Sequence, residues 1–493
     1  MSKKPVTKSA TKQSTVKKSA SKNAPSKHQS QKGLQSLLSS WRRRPSEAVD
    51  AETRTLLEEA HSDRGRVVFS ASFRRLSQKT QVFALSMDGA RTRLTHSLEV
   101  AHVGTYIIDE VFKKLDATKT TGSSELKDWQ KLSWEKRLAS RSFVEVACFV
   151  HDIGNPPFGH FGEKAICNWF SLNKSETWFV NAIAAQDMAY DFVGFDGNKQ
   201  GFRILTRLQR NNNDEFSLNL TATQLAATIK YPTLSVEKPT KCSYFQSESH
   251  IKDEIWTRLG LPSSQRHPLS LIMEAADDIA YCVSDLEDAA EKGLISDRDL
   301  KKAFGHDISF SPLSKGITKG RTNLTNSLVK HVAELFVSRI KEGNITAPQP
   351  LLHEIPSLEK LRKVANERIY SSRIVLSNEV TGFKVIQGLL DAFAPLLKMP
   401  AQNFGKLAAA FEQRNTIYTR ELSQARKLST QEPSLLSLFP RKHLAAYREA
   451  ASNQDEELFH RIHLIVDFIA GMTDDFALST FRLLSGQTIY GHE

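Results

Sequence analysis

The segment SFVEVACFVHDIGNPPFGHFGE, residues 142–163, constrains the fold more than any other part of this chain. Its first half is almost wholly apolar, which is typical of a helix buried in a core, and Gly154 with the prolines that follow ends that helix. His151 and Asp152 therefore lie at the end of a buried helix, where an unpaired charge is costly. A His at a helix C-terminus is often only a favourable dipole partner, but a bound metal would satisfy both side chains.

Most other segments also show helical periodicity. In residues 94–115 the apolar side chains fall on one stripe, as in an amphipathic helix. The same pattern recurs in four further segments: 270–293, 380–398, 404–425 and 456–483. The interval 186–250 is the least regular, and we expect loops and a small β-hairpin there. The sequence predicts an all-α fold, one large domain with substrate loops inserted between helices.

The excess positive charge is confined to the N-terminus. Residues 1–46 contain twelve Lys or Arg and no acidic residue, whereas the whole chain has 67 basic and 55 acidic residues, so the remainder is balanced. The segment is rich in Lys, Ser and Thr and poor in apolar residues, which predicts a disordered basic tail over 1–46. A solvated extension is favoured over an arm that binds a polyanion such as single-stranded nucleic acid.

Composition also indicates the compartment. The four cysteines are scattered without a CxxC pair, which is typical of reduced thiols in a cytoplasmic protein. No apolar run approaches about 18 residues and the N-terminus lacks the apolar core of a signal peptide, so we expect no membrane association.

Two more ionisable residues lie on predicted core helices. His96 is near the start of the 94–115 helix, and Asp277 lies within an apolar face of the 270–293 helix. With His151 and Asp152 they form a set of two imidazoles and two carboxylates. Such a mixed set suits Mn, Fe, Co, Ni or Zn, whereas Mg is less natural.

These residues and their surroundings resemble the deoxyguanosine triphosphate triphosphohydrolase family of the HD-domain phosphohydrolase superfamily. The resemblance runs from about residue 47 to near the C-terminus and implies a single large domain over 47–493, with an HD core over about 90–295 and a helical C-terminal part over about 320–493. The segments that carry it are DRGRVVFSASFRRLSQKTQVF (63–83), RTRLTHSLEVA (91–101), HDIGNPPFGHFGE (151–163), NKQGFRILTRLQ (198–209), KYP (230–232), EAADDIAYCVSDLEDA (274–289) and GMTD (471–474).

The resemblance implies metal ligation by His96, His151, Asp152 and Asp277. Asp277 is preferred to Asp278 because family members place a substrate-contacting Tyr four residues after the ligand, where this chain has Tyr281. Asp278 would then point about 100° away around the helix, towards solvent or a salt bridge.

The resemblance also implies a proton-transfer pair, His160 and Glu163. An imidazole titrates near neutral pH, and a Glu three residues later on a helical turn can orient it by a hydrogen bond. Whether His160 donates a proton to the leaving oxygen or accepts one from the attacking water stays open.

Seven further residues are expected to bind substrate. Arg93 and Lys230 are candidates for phosphate, and Gln81 for the sugar 3′-hydroxyl. The remaining four are Tyr281, Asp285, Asn198 and Arg203. The Tyr281 ring would occupy the space of a 2′-hydroxyl and so favour deoxyribose.

The implied activity is metal-dependent hydrolysis of deoxynucleoside triphosphates, dGTP foremost, to deoxynucleoside and tripolyphosphate. Mn or Mg is expected as cofactor, with Fe, Co, Ni or Zn as alternatives, and relatives imply a homo-oligomer, a tetramer or hexamer. The alternatives are an HD phosphohydrolase acting on another nucleotide, and a nucleic-acid-binding regulatory protein with a relic HD site. Asp475 departs from the family pattern, which often has a basic residue after GMTD, so base preference or regulation could differ.

Overall fold

The structure, a computed structural model, describes residues 34–45, 53–83, 91–119, 123–184, 188–210, 214–233, 242–296, 317–352, 356–413, 431–451 and 456–487. Helices make up 72% of it and no strand occurs among these residues, which confirms the predicted all-α fold. The small hairpin expected within 186–250 is absent from the described part of that interval. Short helices occupy it instead, and β-pairing in the described chain is limited to two isolated bridges, Arg42 with Thr221 and Thr80 with Thr92.

The α-helices, in chain order, are α1 (Leu34–Leu37), α2 (Leu56–Val68), α3 (Ala71–Arg75), α4 (Arg93–Ala117), α5 (Ser124–Gln130), α6 (Trp134–Val150), α7 (His160–Leu172), α8 (Thr177–Ala184), α9 (Tyr190–Val193), α10 (Gly197–Arg203), α11 (Ala222–Thr228), α12 (Ser249–Leu259), α13 (Pro268–Glu291), α14 (Ile317–Glu342), α15 (Pro356–Ala365), α16 (Arg373–Phe393), α17 (Ala401–Gln413), α18 (Glu432–Leu436), α19 (Arg441–Ala450), α20 (Glu457–Ala470) and α21 (Asp474–Leu484). Single π-helical turns follow α10 (Ile204–Leu208) and α15 (Asn366–Tyr370), and 3-10 turns lie at Leu76–Gln78, Gln246–Glu248 and Ala394–Lys398.

One predicted helical segment differs from the structure, and another is described only in part. The segment 456–483 is two helices, because the chain leaves α20 at Gly471 and the Thr473 side chain then caps α21 by accepting a hydrogen bond from the Phe476 N–H. The segment 404–425 begins as α17, and residues 414–430 lie outside the described residues.

A first apolar cluster is built around α4, α6 and α13, which pack on one another, with α2 against α6 and α14 against α4. Thr92 caps α4 and His267 caps α13, so both helices begin at defined residues. Gly104 lets α4 and α6 approach closely, since a Cβ there would lie 2.7 Å from the Cys148 Sγ. These contacts hold the three helices that carry the predicted metal ligands in fixed relative positions.

A second apolar cluster includes α7, α8, α16, α19 and α20. The helix α7, which begins at His160, packs on α16, and α16 in turn packs on α21. The segment that carries the predicted proton-transfer pair is therefore supported by the C-terminal half of the chain, more than 200 residues away in sequence.

Part of the predicted tail packs on the fold. Leu34 and Leu37 are buried, and the buried Arg42 guanidinium pairs with the carboxylates of Glu59 and Asp63. Residues 1–33, which hold the nine lysines of the predicted tail, lie outside the described residues.

The stretch Arg373–Lys398, which is α16 with the 3-10 turn after it, is long and apolar enough to cross a membrane by length and composition. This differs from the expectation that no segment meets that criterion. A core helix of a soluble protein passes the same test, and here Val385, Leu389 and Phe393 pack into the second cluster. We therefore interpret α16 as a core helix.

Candidate active site

Most predicted site residues line one cavity of about 1040 Å³. Its wall includes the start of α4, the turn between α6 and α7, the middle of α13 and parts of α16 and α21. The predicted residues that line it are Gln81, Arg93, His151, Asp152, His160, Glu163, Asn198, Lys230, Asp277 and Tyr281.

The four predicted ligands converge at the α4–α6–α13 junction. The Asp277 Oδ1 lies 3.4 Å from the His96 Nε2 and 3.3 Å from the His151 Nε2. The Asp152 Oδ1 lies 3.6 Å from the same His151 nitrogen. His96 is fully buried behind the cavity wall, with its imidazole directed towards the other ligands. The fold thus brings together side chains from α4, the end of α6 and α13, which are up to 181 positions apart in the sequence.

The tautomer of His151 shows that this donor set suits a cation. The His151 Nδ1 lies 2.7 Å from the Cys148 carbonyl oxygen, which only accepts hydrogen bonds, so Nδ1 donates. In the neutral ring the Nε2 lone pair then faces the Asp277 carboxylate oxygen, which is unfavourable because both atoms are hydrogen-bond acceptors. A proton or a metal ion between these atoms makes it favourable, and two imidazoles with two carboxylates are a typical set for a divalent transition metal.

Two basic side chains neutralise the ligand carboxylates from outside. The Arg93 guanidinium donates to the Asp152 Oδ2, and the Lys230 ammonium donates to the Asp277 Oδ2 at 2.8 Å. Burial alone would raise the pKa of Asp277, but Lys230 and His151 outweigh it and hold that pKa well below its ordinary value. Burial opposes ionisation of Asp152 in the same way, and His151 and Arg93 lower its pKa.

The turn after α6 depends on glycines. A Cβ at Gly154 would lie 2.0 Å from the backbone nitrogen of Gly201, so only glycine allows α10 to pack on the turn. Gly159 has a φ of +57°, and a Cβ there would lie 2.4 Å from the Arg93 Nη2. Gly154, which predicted the helix stop, thus also allows close packing, and Gly159 brings the backbone close to Arg93.

His160 and Glu163 form the expected pair at the start of α7. The His160 Nδ1 lies 2.7 Å from the Glu163 Oε2, and the Glu163 Oε1 accepts a hydrogen bond from the Gly197 N–H at 2.7 Å. The hydrogen bond to Glu163 is the main reason that the pKa of His160 is raised. The His160 side chain is 75% exposed, so its imidazole is accessible to a ligand in the cavity.

Gln81 and Tyr281 line another part of the cavity. The Gln81 Oε1 is buried and has no hydrogen-bond partner among the described residues, so it is available to a ligand donor. The Tyr281 ring stacks on the Tyr370 ring with centroids 6.2 Å apart and an interplanar angle of 17°. These two residues therefore combine an unsatisfied amide oxygen with an aromatic surface.

Three predicted binding residues are placed differently. Arg203 is not among the residues lining the cavity; it donates to the buried carboxylates of Asp467 and Glu248. Asp285 lies behind the wall, where it accepts a hydrogen bond from the Tyr370 hydroxyl, and burial raises the pKa of Asp285 to about 7. Asn198 lines the cavity, but its amide donates to the Asp196 side chain.

Asp278 agrees with its predicted orientation in part. Its carboxylate pairs with the Arg362 guanidinium at 3.0 Å, as the salt-bridge alternative predicts, yet it also lines the cavity. Burial raises the pKa of Asp278 to about 6.

Comparison with known proteins agrees with this geometry. The HD domain family matches residues 93–281, a range that begins at Arg93 and contains all four predicted ligand residues. The phosphohydrolase-associated domain family matches residues 434–483. The chain is 33% identical to the probable deoxyguanosinetriphosphate triphosphohydrolase of Pseudomonas aeruginosa, over 89% of this chain and 95% of that protein.

Two further relatives carry the same name without qualification. The deoxyguanosinetriphosphate triphosphohydrolases of Klebsiella pneumoniae strain 342 and Yersinia enterocolitica are each 34% identical over 90% of this chain, and the alignments cover 97% and 96% of them. The chain belongs to the deoxyguanosinetriphosphate triphosphohydrolase family. It is therefore an enzyme with an HD domain, as the sequence motifs predicted.

Several cavity residues of this family member were not predicted. Some, such as Thr80, Phe158 and Lys164, lie in the N-terminal half of the chain. Those in the C-terminal half are Asn366, Tyr370, Val375, Asn378, Glu379, Thr381, Asp474 and Leu478, beside Asp475, which the sequence marked only as a departure from the family pattern. Their sequence context offers little signal apart from the GMTD motif, which ends at Asp474. Lys79 was also missed; its buried ammonium donates to the backbone oxygens of Asn155 and Ala470.

Proposed function

We propose that this enzyme hydrolyses deoxynucleoside triphosphates, dGTP foremost, at the α-phosphorus to release a deoxynucleoside and tripolyphosphate. The observation that carries the proposal is the arrangement of one cavity. It combines a two-His, two-Asp set with basic side chains beside it, a His–Glu pair, and an unpartnered amide near a tyrosine pair. The preference for guanine is supported by the names of the relatives.

His96, His151, Asp152 and Asp277 would hold a divalent metal. When bound, the metal supplies positive charge for a phosphate oxygen and lowers the pKa of a bound water. Mn or Mg is the proposed ion, and the two imidazoles also suit Fe, Co, Ni or Zn. The largely buried surroundings of the four ligands would keep bulk water from competing with them for the metal.

Arg93 and Lys230 would bind the triphosphate. Each contacts the outer oxygen of a ligand carboxylate and lines the cavity, so each lies where a phosphate beside the ligands would meet it. Charge-assisted hydrogen bonds to phosphate would strengthen as negative charge builds up in the transition state.

His160 would donate a proton to the departing 5′-oxygen, because an alkoxide is a poor leaving group. Glu163 supports that role, since its hydrogen bond raises the pKa of His160 and so favours the imidazolium form. Glu163 is in turn fixed by the Gly197 N–H, which orients the pair.

Gln81, Tyr281 and Tyr370 would recognise the sugar. The unpartnered Gln81 oxygen would accept a hydrogen bond from the 3′-hydroxyl, and the stacked tyrosines would leave no room for a 2′-hydroxyl. Asp285 would act indirectly by holding the Tyr370 hydroxyl, and Arg203 by bracing the fold beneath the cavity. Asn198 would contact substrate only after releasing Asp196.

The proposal extends to compartment and assembly. Four free cysteines support a reducing cytoplasm. Leu376 and Val380 on α16 are 45% and 65% exposed, and a homo-oligomer would cover such apolar surface. Light scattering on the purified full chain would test this, and a monomer at micromolar concentration would contradict it.

The decisive experiment identifies products. The purified chain is incubated with each deoxynucleoside triphosphate and its ribonucleotide counterpart, with Mn or Mg, and products are resolved by chromatography and phosphorus NMR. We expect deoxynucleoside and tripolyphosphate, fastest from dGTP, with ribonucleotides rejected. Asp277→Ala serves as the control for contaminating phosphatases. Pyrophosphate or orthophosphate as the first product would contradict the proposal and favour an HD phosphohydrolase of another kind.

A further inference from the structure

Asp474, the last residue of GMTD, has a side chain whose hydrogen bonds connect two segments of the site. It is the first residue of α21 and is 6% exposed. An acid at this position often serves only the helix dipole. Here both of its carboxylate oxygens accept hydrogen bonds from other segments.

The first connection is to the turn before α7. The Asp474 Oδ1 accepts the Phe158 N–H at 3.0 Å, two residues before His160. Phe158 has a φ of +62° and precedes Gly159, which also has a positive φ. A bulky residue rarely adopts this conformation, so external contacts are needed to hold it. The Asp474 hydrogen bond and the packing of Phe158 on Gly382 are such contacts.

The second connection is to the residue before Gln81. The Asp474 Oδ2 accepts both the N–H and the hydroxyl of Thr80, at 2.8 and 2.7 Å. Thr80 pairs with Thr92 in an isolated antiparallel bridge, directly before Arg93. The Asp474 carboxylate is therefore hydrogen-bonded to two segments, the one that leads to His160 and the one that leads to Gln81. Through the bridge between Thr80 and Thr92, the second segment lies beside the start of α4.

Lys79 provides a parallel tie between the same regions. Its ammonium donates to the Asn155 oxygen in the α6–α7 turn at 2.6 Å and to the Ala470 oxygen at the end of α20 at 3.0 Å. Together, Lys79 and Asp474 join the HD part of the chain to the associated region 434–483, at the turn that leads to His160.

We propose that Asp474 is a positioning residue of the active site, which holds the Phe158–His160 turn in register with the Thr80–Gln81 segment. This inference rests on the proposed function, because the position of the turn matters for turnover only if His160 acts on the substrate. On this proposal, the phosphohydrolase-associated region positions His160 for proton transfer and takes no part in binding the metal.

The test compares Asp474→Asn with Asp391→Asn in the full chain. Asp391 is a matched control, since its Oδ1 accepts the Trp169 Nε1–H at 2.6 Å and ties α16 to α7 without touching the turn. We expect Asp474→Asn to lower kcat at least tenfold while Mn affinity changes less than twofold. Asp391→Asn should keep kcat within twofold. Equal kcat losses in the two variants, or an unchanged kcat in Asp474→Asn, would overturn the proposal.

A double-variant cycle distinguishes positioning from general destabilisation. In a Glu163→Gln background, Asp474→Asn should reduce kcat much less than in the native chain, because both act through His160. Multiplicative losses would overturn the proposal. If Asp474→Asn does not fold, Thr80→Val removes only the hydroxyl donor and should show a smaller loss with the same non-additivity. The products formed by the native chain test the proposed function separately, because the ratios of kcat between variant and native chain can be measured whichever phosphate product is released.

Discussion

The metal-ligand end and the proton-transfer end of the cavity are built in contrasting ways. The His96 and His151 side chains are each 1% exposed; His96 lies on α4 and His151 directly follows α6, and these long helices pack on one another. His160 is 75% exposed and follows a turn with two positive φ angles. The ligand end is therefore held by apolar packing, whereas the proton-transfer end depends on a few polar contacts. The contrast implies that variants at the first end affect both metal binding and stability, and variants at the second mainly affect turnover.

The largest effect is expected from Asp277→Ala at the ligand end. The variant removes the carboxylate that both imidazoles face and leaves the Lys230 ammonium without its partner. Breaking a fully buried pair costs about 3–5 kcal/mol of stability, and this pair is partly buried, so a smaller loss is expected; metal binding, activity and the melting temperature should all fall. Calorimetric titration with Mn and thermal unfolding measure this. Asp278→Ala, at the neighbouring acid that pairs with Arg362, is the control and should retain Mn affinity. Native affinity in Asp277→Ala would refute the ligand assignment.

At the other end, His160→Ala should lower kcat by about 10²–10⁴-fold, the usual contribution of a general acid. Because the side chain is exposed and its hydrogen bond within the described residues is to Glu163, metal affinity and the melting temperature should change little. Steady-state kinetics beside Mn titration check both parts. If His160→Ala kept native turnover, or lost metal affinity together with turnover, the two ends of the cavity would not differ as described.

A smaller and more specific effect is expected from Glu163→Gln. Removing the carboxylate lowers the pKa of His160, since the bond to Glu163 is what chiefly raises it. If His160 is the acid, activity is lost as pH rises through that pKa, so the alkaline limb of kcat should move to lower pH. If His160 is the base, the acidic limb should move to lower pH instead. The pH dependence of kcat in the two proteins therefore assigns the role.

The smallest effect concerns the fold after removal of metal. Arg93 and Lys230 already neutralise the two ligand carboxylates, so chelation should abolish activity but leave the helical content unchanged. Circular dichroism before and after dialysis against a chelator measures it. Unfolding on chelation would show that the metal, and not helix packing, holds the ligand end together.

The convergence of the four predicted ligands was largely predictable from sequence, because His96 and Asp277 lie on helices, and His151 and Asp152 follow one, whose apolar patterns show which face is buried. The family resemblance implied the pair His160 and Glu163, and their contact needed only local geometry, since the two residues are three positions apart on one helical turn. Neither signal exists for Asp474 or Tyr370, whose contacts join segments 316 and 85 residues apart. Arg203 and Asp285 show the converse problem: a polar residue near site motifs can be directed into a structural network, and only the packing decides.

The direct test of the account is hydrolysis of dGTP in water enriched in oxygen-18. Attack at the α-phosphorus with loss of the 5′-oxygen predicts that the label appears in tripolyphosphate and that deoxyguanosine is unlabelled. Label in deoxyguanosine, or recovery of pyrophosphate with the nucleoside monophosphate, would contradict the assignment of the cavity to triphosphate release.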